Sequence, residues 1–277
     1  MPHTPWHALP AEVHAAVYEQ IGTVTDVELV GAGSVADVVA ILHTSTGKSF
    51  CAKGARDDNP RAWMQRREAQ LNPYMPTFAP RLRWQAEATG WSILGFDRAP
   101  GRHIDVTPGS PDLGPLVATL TAMSTIPAPA PPVKIQAATA RWANWVAPEL
   151  VDGDTLVHSD MTTKNFLIDG GNVTVVDWAI PCRGADWLDT ALTVIRLIRA
   201  GHTPAEAAQW AEQVPAWRIA SLEAVQVFAT ACANLGAERA RQSSAPHLTQ
   251  LADAAADWAN FVAAERGHLG QRPPAQS

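Results

Sequence analysis

His158-Ser159-Asp160-Met161-Thr162-Thr163-Lys164-Asn165 is the stretch from which the rest of this chain is read. The carboxylate of Asp160 and the carboxamide of Asn165 leave one polar loop five residues apart, and a second carboxylate, Asp177, follows twelve residues after Asn165. Two short apolar, partly β-branched runs lie between, Phe166-Leu167-Ile168 and Val173-Thr174-Val175-Val176, separated by Asp169-Gly170-Gly171-Asn172. That separator is a hairpin signal. A hairpin of this length folds Asp177 back beside Asn165. Two oxygen donors would then face one point, which suits a hard Mg²⁺ that keeps waters and a phosphate as its other ligands. Asp160 is left to meet a nucleophilic hydroxyl. The stretch reads as a phosphoryl-transfer site.

His-x-Asp-x-x-x-x-Asn followed by an apolar hairpin and Asp resembles the catalytic and metal loops of protein-kinase-like folds. In detail it resembles the aminoglycoside phosphotransferase family of small-molecule kinases. Asp177 is followed by Trp178 rather than by the Phe-Gly of a protein kinase. Gly184-Ala185-Asp186-Trp187-Leu188-Asp189-Thr190-Ala191 is similar to that family's Gly-Asp-Pro-x-x-Asp-Leu-Ala run, and no Ala-Pro-Glu segment follows. The resemblance covers roughly residues 25–265. It implies Asp160 as catalytic base, Asn165 and Asp177 as Mg²⁺ ligands, and His158 as a support packed under the loop. Asp189 either accepts hydrogen bonds from that loop or simply sits in a helix first turn, where the dipole favours a carboxylate. Lys164 either contacts the transferring phosphate or is solvated.

The resemblance also organises the chain upstream. Lys53 ends a strand; alone it reads as a solvated edge residue, but in this layout it matches the lysine that bridges α- and β-phosphates. Glu68, in the following helix, is its expected partner, unless Arg66-Arg67-Glu68 is an exposed charged face. Gly31-Ala32-Gly33-Ser34 separates two strands. Gly31 and Gly33 let backbone N–H groups approach phosphate, and Ser34 adds a hydroxyl donor, although the same pattern also makes a plain hairpin turn. The third glycine of the protein-kinase loop is Ala36 here. Asp97-Arg98-Ala99-Pro100-Gly101 is similar to the family's hinge. Backbone groups of Asp97 and Ala99 would there pair with the purine, the other reading being an unliganded Pro-Gly turn.

Local patterning gives an α+β expectation. Residues 11–20 read as a helix, 27–30, 35–42 and 49–53 as an antiparallel meander, 60–71 as a helix, and 81–87 with 91–96 as a hairpin. Helices are expected at 113–126, 135–150, 186–200, from Thr203-Pro204 onward, near 215–240 and at 246–265. The expected organisation is a protein-kinase-like pair of lobes: residues 1–96 as a small-sheet nucleotide-binding lobe, 97–111 as hinge, and 112–277 as a helical lobe with the catalytic loop and acceptor site.

Composition narrows the partners. With 277 residues, of which 47% are hydrophobic and 17% charged, the chain can bury a full core. A net charge of −6 and no Lys/Arg run argue against nucleic acid as a partner. No apolar run reaches about 18 residues, so no membrane span is expected. Cys51, Cys182 and Cys232 lie far apart, as in a reduced cytoplasmic protein, and Met1-Pro2-His3-Thr4-Pro5 does not begin a signal peptide. After Trp178 the chain holds nine acidic and eight basic residues, a poor sink for a polycation. The expected co-substrate is ATP or GTP with Mg²⁺. The expected acceptor is a small-molecule hydroxyl on an antibiotic or related product that is not strongly cationic. A metabolic kinase for an amino alcohol or sugar, or a silent nucleotide-binding module, is the alternative.

Overall fold

The computed structural model describes residues 4–30, 36–130 and 133–269. Gly31, Gly33 and Ser34, expected to cradle phosphate, lie outside the described residues. The chain divides into two compact units: residues 1–102 with 167–170 and 174–180, and residues 103–166 with 171–173 and 181–277. The division runs through the Asp177 hairpin, so Asp177 belongs to the first unit rather than to the helical lobe assigned from sequence. The stretch read as a hinge also divides. Within it Ile104 and Val106, each 5% exposed, are packed residues of the second unit.

In the first unit, α1 (Ala11–Ile21) precedes β1 (Val24–Leu29), β2 (Val38–Thr44) and β3 (Ser49–Arg56). Then come α2 (Ala62–Leu71), β4 (Leu82–Ala88) and β5 (Trp91–Asp97). The strands form a five-stranded antiparallel sheet in the order β1-β2-β3-β5-β4. Leu9, Val13, Val17 and Ile21 recur at four-residue spacing and make one apolar stripe on and just before α1. That stripe packs with Ala40, Leu42, Phe50, Ala52, Trp84 and Ile93 of the sheet. Each fully buried large side chain of this kind contributes about 1.5–3 kcal/mol.

The helix α2 behaves differently. Its buried residues are Ala62, Gln65, Glu68 and Leu71, two of them polar. Gln65 Nε2 donates to the carbonyls of Lys53 (3.1 Å) and Ser92 (2.8 Å), which fixes α2 against β3 and β5 by hydrogen bonds. Arg66 points outward and Arg67 lies over Trp63 at 4.8 Å.

Next along the chain come β6 (Arg102–His103), α3 (Leu113–Met123), β7 (Gln136–Ala137), α4 (Ala138–Arg141) and β8 (Thr155–Val157). They are followed by β9 (Phe166–Asp169) and β10 (Asn172–Val175), the hairpin expected from sequence, with Gly170 and Gly171 at φ 53° and 85°. Then follow β11 (Cys182–Gly184), α5 (Leu188–Arg199), α6 (Pro204–Ala211), α7 (Pro215–Ile219), α8 (Leu222–Arg241) and α9 (Pro246–Leu269). In the second unit β7, β11 and β8 form a small sheet whose central strand is β11. Nine of the twelve residues of α5 are buried, and α9 packs on both α5 and α8. Phe228 of α8 meets Trp142 and Trp187 edge to face, at 5.1 and 5.4 Å between ring centroids.

Two helix expectations are corrected. The segment 135–150 is helical only at α4. Gln136 and Ala137 instead pair in parallel with Cys182 and Arg183, and Pro148 opens a separate 3₁₀ turn. Sheet pairing over a long separation has overridden local helix propensity. The segment 215–240 is two helices, because Ser221 accepts the N–H of Ala224 and caps a new start at α8. Among the described residues no helix is long and apolar enough to cross a membrane.

Candidate active site

In the first unit Lys53 lies on β3, hydrogen-bonded between β2 and β5. Its Nζ donates to Glu68 Oε1 (3.0 Å) and Oε2 (3.1 Å) and to Asp177 Oδ1 (3.0 Å). Burial works against the ammonium, but the carboxylates of Glu68 and Asp177 together outweigh it and hold Lys53 above the ordinary lysine range. Burial pushes Glu68 upward; Lys53 opposes that and the like charge of Asp177 adds to it. Glu68 also accepts the backbone N–H of Trp178, and Trp178 Nε1 donates to the Val175 carbonyl at 3.0 Å. These bonds fix a turn in which Asp177 has φ 66°, a left-handed conformation that a non-glycine residue holds only when its surroundings over-determine it. The pattern of α2 settles the two readings of Glu68: it faces the sheet while Arg66 is exposed.

In the second unit β8 runs into the loop that opens at His158. His158 is 1% exposed, and its Nδ1 accepts the Asp160 N–H at 3.3 Å. Asp189 accepts the N–H groups of His158 and Ser159, both at 2.8 Å. Burial pushes the Asp189 carboxyl up, while His158 and the two N–H donors oppose it. Asp189 also occupies the first turn of α5, so its two sequence readings coincide in one residue. Ser159 has φ 66°, so the loop turns sharply where Asp189 grips it. Asn165 Nδ2 donates to the Asp160 carbonyl at 3.0 Å, which commits the amide's donor end to the loop and turns its oxygen away.

Lys164 is exposed on this loop, in keeping with its solvated reading. Asp97 pairs through its side chain with Arg83 Nη2 at 2.7 Å, and its N–H donates to the Arg81 carbonyl at 2.9 Å. That N–H is therefore engaged within the sheet. Ala99 is half-buried.

Sequence reading missed Arg196. It lies on α5, and its Nη2 stands 3.8 Å from Asp160 Oδ1. The available signal was its spacing of seven residues from Asp189, two helical turns along one face.

The donor chemistry fits a hard divalent cation. Asp177 presents a carboxylate in the first unit, and the Asn165 amide belongs to the second. Among the described residues no group of three or more His, Cys, Asp or Glu side chains is placed to hold a metal. A cation at Asp177 would therefore take most of its shell from phosphate and water, as Mg²⁺ does.

No protein-family profile matches the sequence, and no curated protein matches it. Solved structures do match. An amicoumacin kinase in complex with AMP-PNP and Ca²⁺ aligns with a TM-score of 0.57 at 13% identity, over 85% of this chain and 88% of that one. An aminoglycoside phosphotransferase from Streptomyces rimosus, in complex with ADP and streptomycin, aligns at 0.55 and 14%, over 86% and 97%. A macrolide 2'-phosphotransferase from Brachybacterium faecium aligns at 0.52 and 18%, over 89% and 98%. The fold is that of the antibiotic phosphotransferases. It is an α+β fold in which a small antiparallel sheet precedes a mainly helical part, as the motifs implied. At these identities the likeness is one of backbone, and the roles of individual side chains rest on the geometry above.

Proposed function

We propose that this protein is a nucleotide-dependent O-phosphotransferase that phosphorylates a hydroxyl of a small molecule. The observation that carries the reading is the Lys53–Glu68–Asp177 triad: a buried ammonium held on the central sheet by two carboxylates, one of them in a strained turn. Such a lysine offers fixed positive charge to phosphate oxygens, and Glu68 keeps it extended. Asp177 and Asn165 would hold Mg²⁺, which when bound screens the phosphate charge. ATP or GTP is the co-substrate, and the nucleotide complexes of the structural neighbours favour this reading. The phosphate loop Gly31, Gly33, Ser34 and the hinge at Asp97 and Ala99 complete the proposed nucleotide contacts.

Asp160 acts on the acceptor. Its carboxylate accepts a hydrogen bond from the acceptor hydroxyl and orients it for in-line attack. The acceptor oxygen bonds to the γ-phosphorus as the bond to the β–γ bridging oxygen breaks; the nucleoside diphosphate leaves with that electron pair, and the hydroxyl proton passes late to Asp160. Asp189 and His158 hold the loop, so that little reorganisation is needed at the moment of transfer. The acceptor we favour is an antibiotic or related natural product without a dense array of ammonium groups, in a cytoplasmic setting and without nucleic acid or membrane as partner.

The test is Mg²⁺-dependent transfer from ATP and from GTP to hydroxylated antibiotics, nucleosides, amino alcohols and sugars, read by product mass, with Asp160→Ala alongside. Transfer that vanishes in the variant supports the reading. Tight binding of Mg²⁺-nucleotide without transfer to any acceptor favours a silent module, and absence of nucleotide binding sinks both.

A further inference from the structure

Arg196 is largely buried, with 22% of its side chain exposed, and its nearest partner among the described residues is Asp160. At 3.8 Å that contact is an ion pair beyond hydrogen-bond length. Burial lowers the guanidinium's pKa; Asp160 opposes the shift, while Arg199 and Arg239 reinforce it. One guanidinium thus stands beside the Asp160 carboxylate, and two more lie close enough to Arg196 to add positive charge to its surroundings. A largely buried guanidinium that makes no hydrogen bond of ordinary length among the described residues is matched by an oxyanion, which it binds through two parallel N–H bonds. Four acidic side chains of this unit gather away from the Asp160 loop. Glu149, Asp152, Asp154 and Asp186 line a groove of about 400 Å³ that takes in Thr155, at the start of β8, and no residue of the 158–165 loop.

Resting on the phosphotransferase reading, we propose that Arg196 reads an oxyanion on the acceptor. The molecule phosphorylated is then a hydroxy compound that carries a carboxylate or phosphate group near the reacting hydroxyl. A hydroxyl hydrogen-bonded to Asp160 and an oxyanion bonded to Arg196 sit on nearby carbons. A polycationic acceptor would bring an ammonium group against Arg196, whose surroundings Arg199 and Arg239 already make positive.

The test uses matched acceptors that differ only in charge. One arm compares hydroxy acids with their neutral amides and aminomethyl analogues, and the other compares sugar phosphates with the parent sugars, so that carboxylate and phosphate sources are separated. Wild type, Arg196→Met and Arg196→Lys are measured with ATP and Mg²⁺. The expected result is a preference in kcat/KM of at least tenfold for the anionic member of one arm. Arg196→Met brings that ratio close to one, chiefly through KM of the anionic member, and Arg196→Lys restores part of it. Preference for neutral or cationic members, or an equal loss on every member in Arg196→Met, overturns the inference. So does transfer to none of them while ATP hydrolysis still depends on Asp160, an outcome that leaves the kinase reading standing. Absence of any Asp160-dependent ATP turnover overturns both.

Discussion

Lys53 Nζ stands 3.0 Å from Asp177 Oδ1, although 124 residues separate them in the chain. The lysine sits mid-sheet, where Ala52 and Gly54 on either side share the antiparallel ladder with β2 and β5. The aspartate follows a hairpin strand seated by the Val175 N–H on the Phe78 carbonyl at 2.9 Å. One ammonium therefore joins the sheet, α2 and the Asp177 turn. With two carboxylates on one cation, the group is net negative, which leaves Asp177 able to serve a metal while Glu68 retains the lysine.

Removal of the lysine charge should expose this balance. Lys53→Met leaves two carboxylates facing each other in a buried site, a situation that costs on the order of 3 kcal/mol when one partner of a buried pair is removed. Urea unfolding should show that loss, with the KM for nucleotide raised in the same variant. Glu68→Gln keeps shape and hydrogen-bonding capacity and should lose less stability. Equal stability of Lys53→Met and wild type would mean that the triad is not held together in solution.

Cys182 gives a pH dependence whose sign is fixed. It is fully buried on β11, and burial pushes its thiol from 9.0 up to about 12, with Arg141 opposing. Between these values the unfolded chain releases the proton and the folded chain keeps it. Folding stability is therefore fully present below pH 9 and declines toward pH 12, by up to about 1.4 kcal/mol per pH unit from this group. Cys182→Ala should flatten the decline between pH 9 and 11 in denaturant titrations, whatever it does to stability at neutral pH. An unchanged slope would show that the thiol is not shielded.

Gly101 tests how the Asp177 hairpin is seated. It has φ 91°, and a Cβ there would run into the backbone carbonyl of Ile168 on β9. Gly109 has a similar φ of 82° with open space around it. Gly109→Ala should cost about 1–2 kcal/mol from backbone conformation alone. Gly101→Ala should cost clearly more and should also weaken nucleotide binding, because the hairpin must shift. Equal costs in thermal unfolding would rule out the close approach as a constraint.

Much of the site was legible because its residues cluster in sequence. Asp160, Asn165 and Asp177 flank a hairpin with strong turn chemistry, and Lys53 follows the short strand-like run Ser49-Phe50-Cys51-Ala52. Other features were hidden for identifiable reasons. The phase of α2 was unreadable because two of its inward residues, Gln65 and Glu68, are polar, and hydrophobic periodicity is blind to them. The extent of α4 was misread because β7 takes its conformation from β11, far along the chain. Arg196 looked like one more surface cation on an amphipathic helix. Only the loop that Asp189 anchors shows that this face of α5 points at Asp160.

That anchoring is itself open to test. Asp189 accepts two backbone N–H groups, from His158 and Ser159, both at 2.8 Å. Asp189→Ala would take this acceptor from a buried and a half-buried donor, at about 1–3 kcal/mol for the buried one, and would release the positive φ of Ser159. The result expected is a stability loss of a few kcal/mol together with a fall in kcat of about 10²-fold, since an ångström of misplacement at Asp160 costs that much. Asp189→Asn retains one acceptor oxygen and should fall between wild type and Asp189→Ala on both measures. Nucleotide affinity should change little in either variant, because Lys53 and Glu68 are untouched. If nucleotide affinity collapsed along with kcat in Asp189→Asn, Asp189 would be holding more than the Asp160 loop.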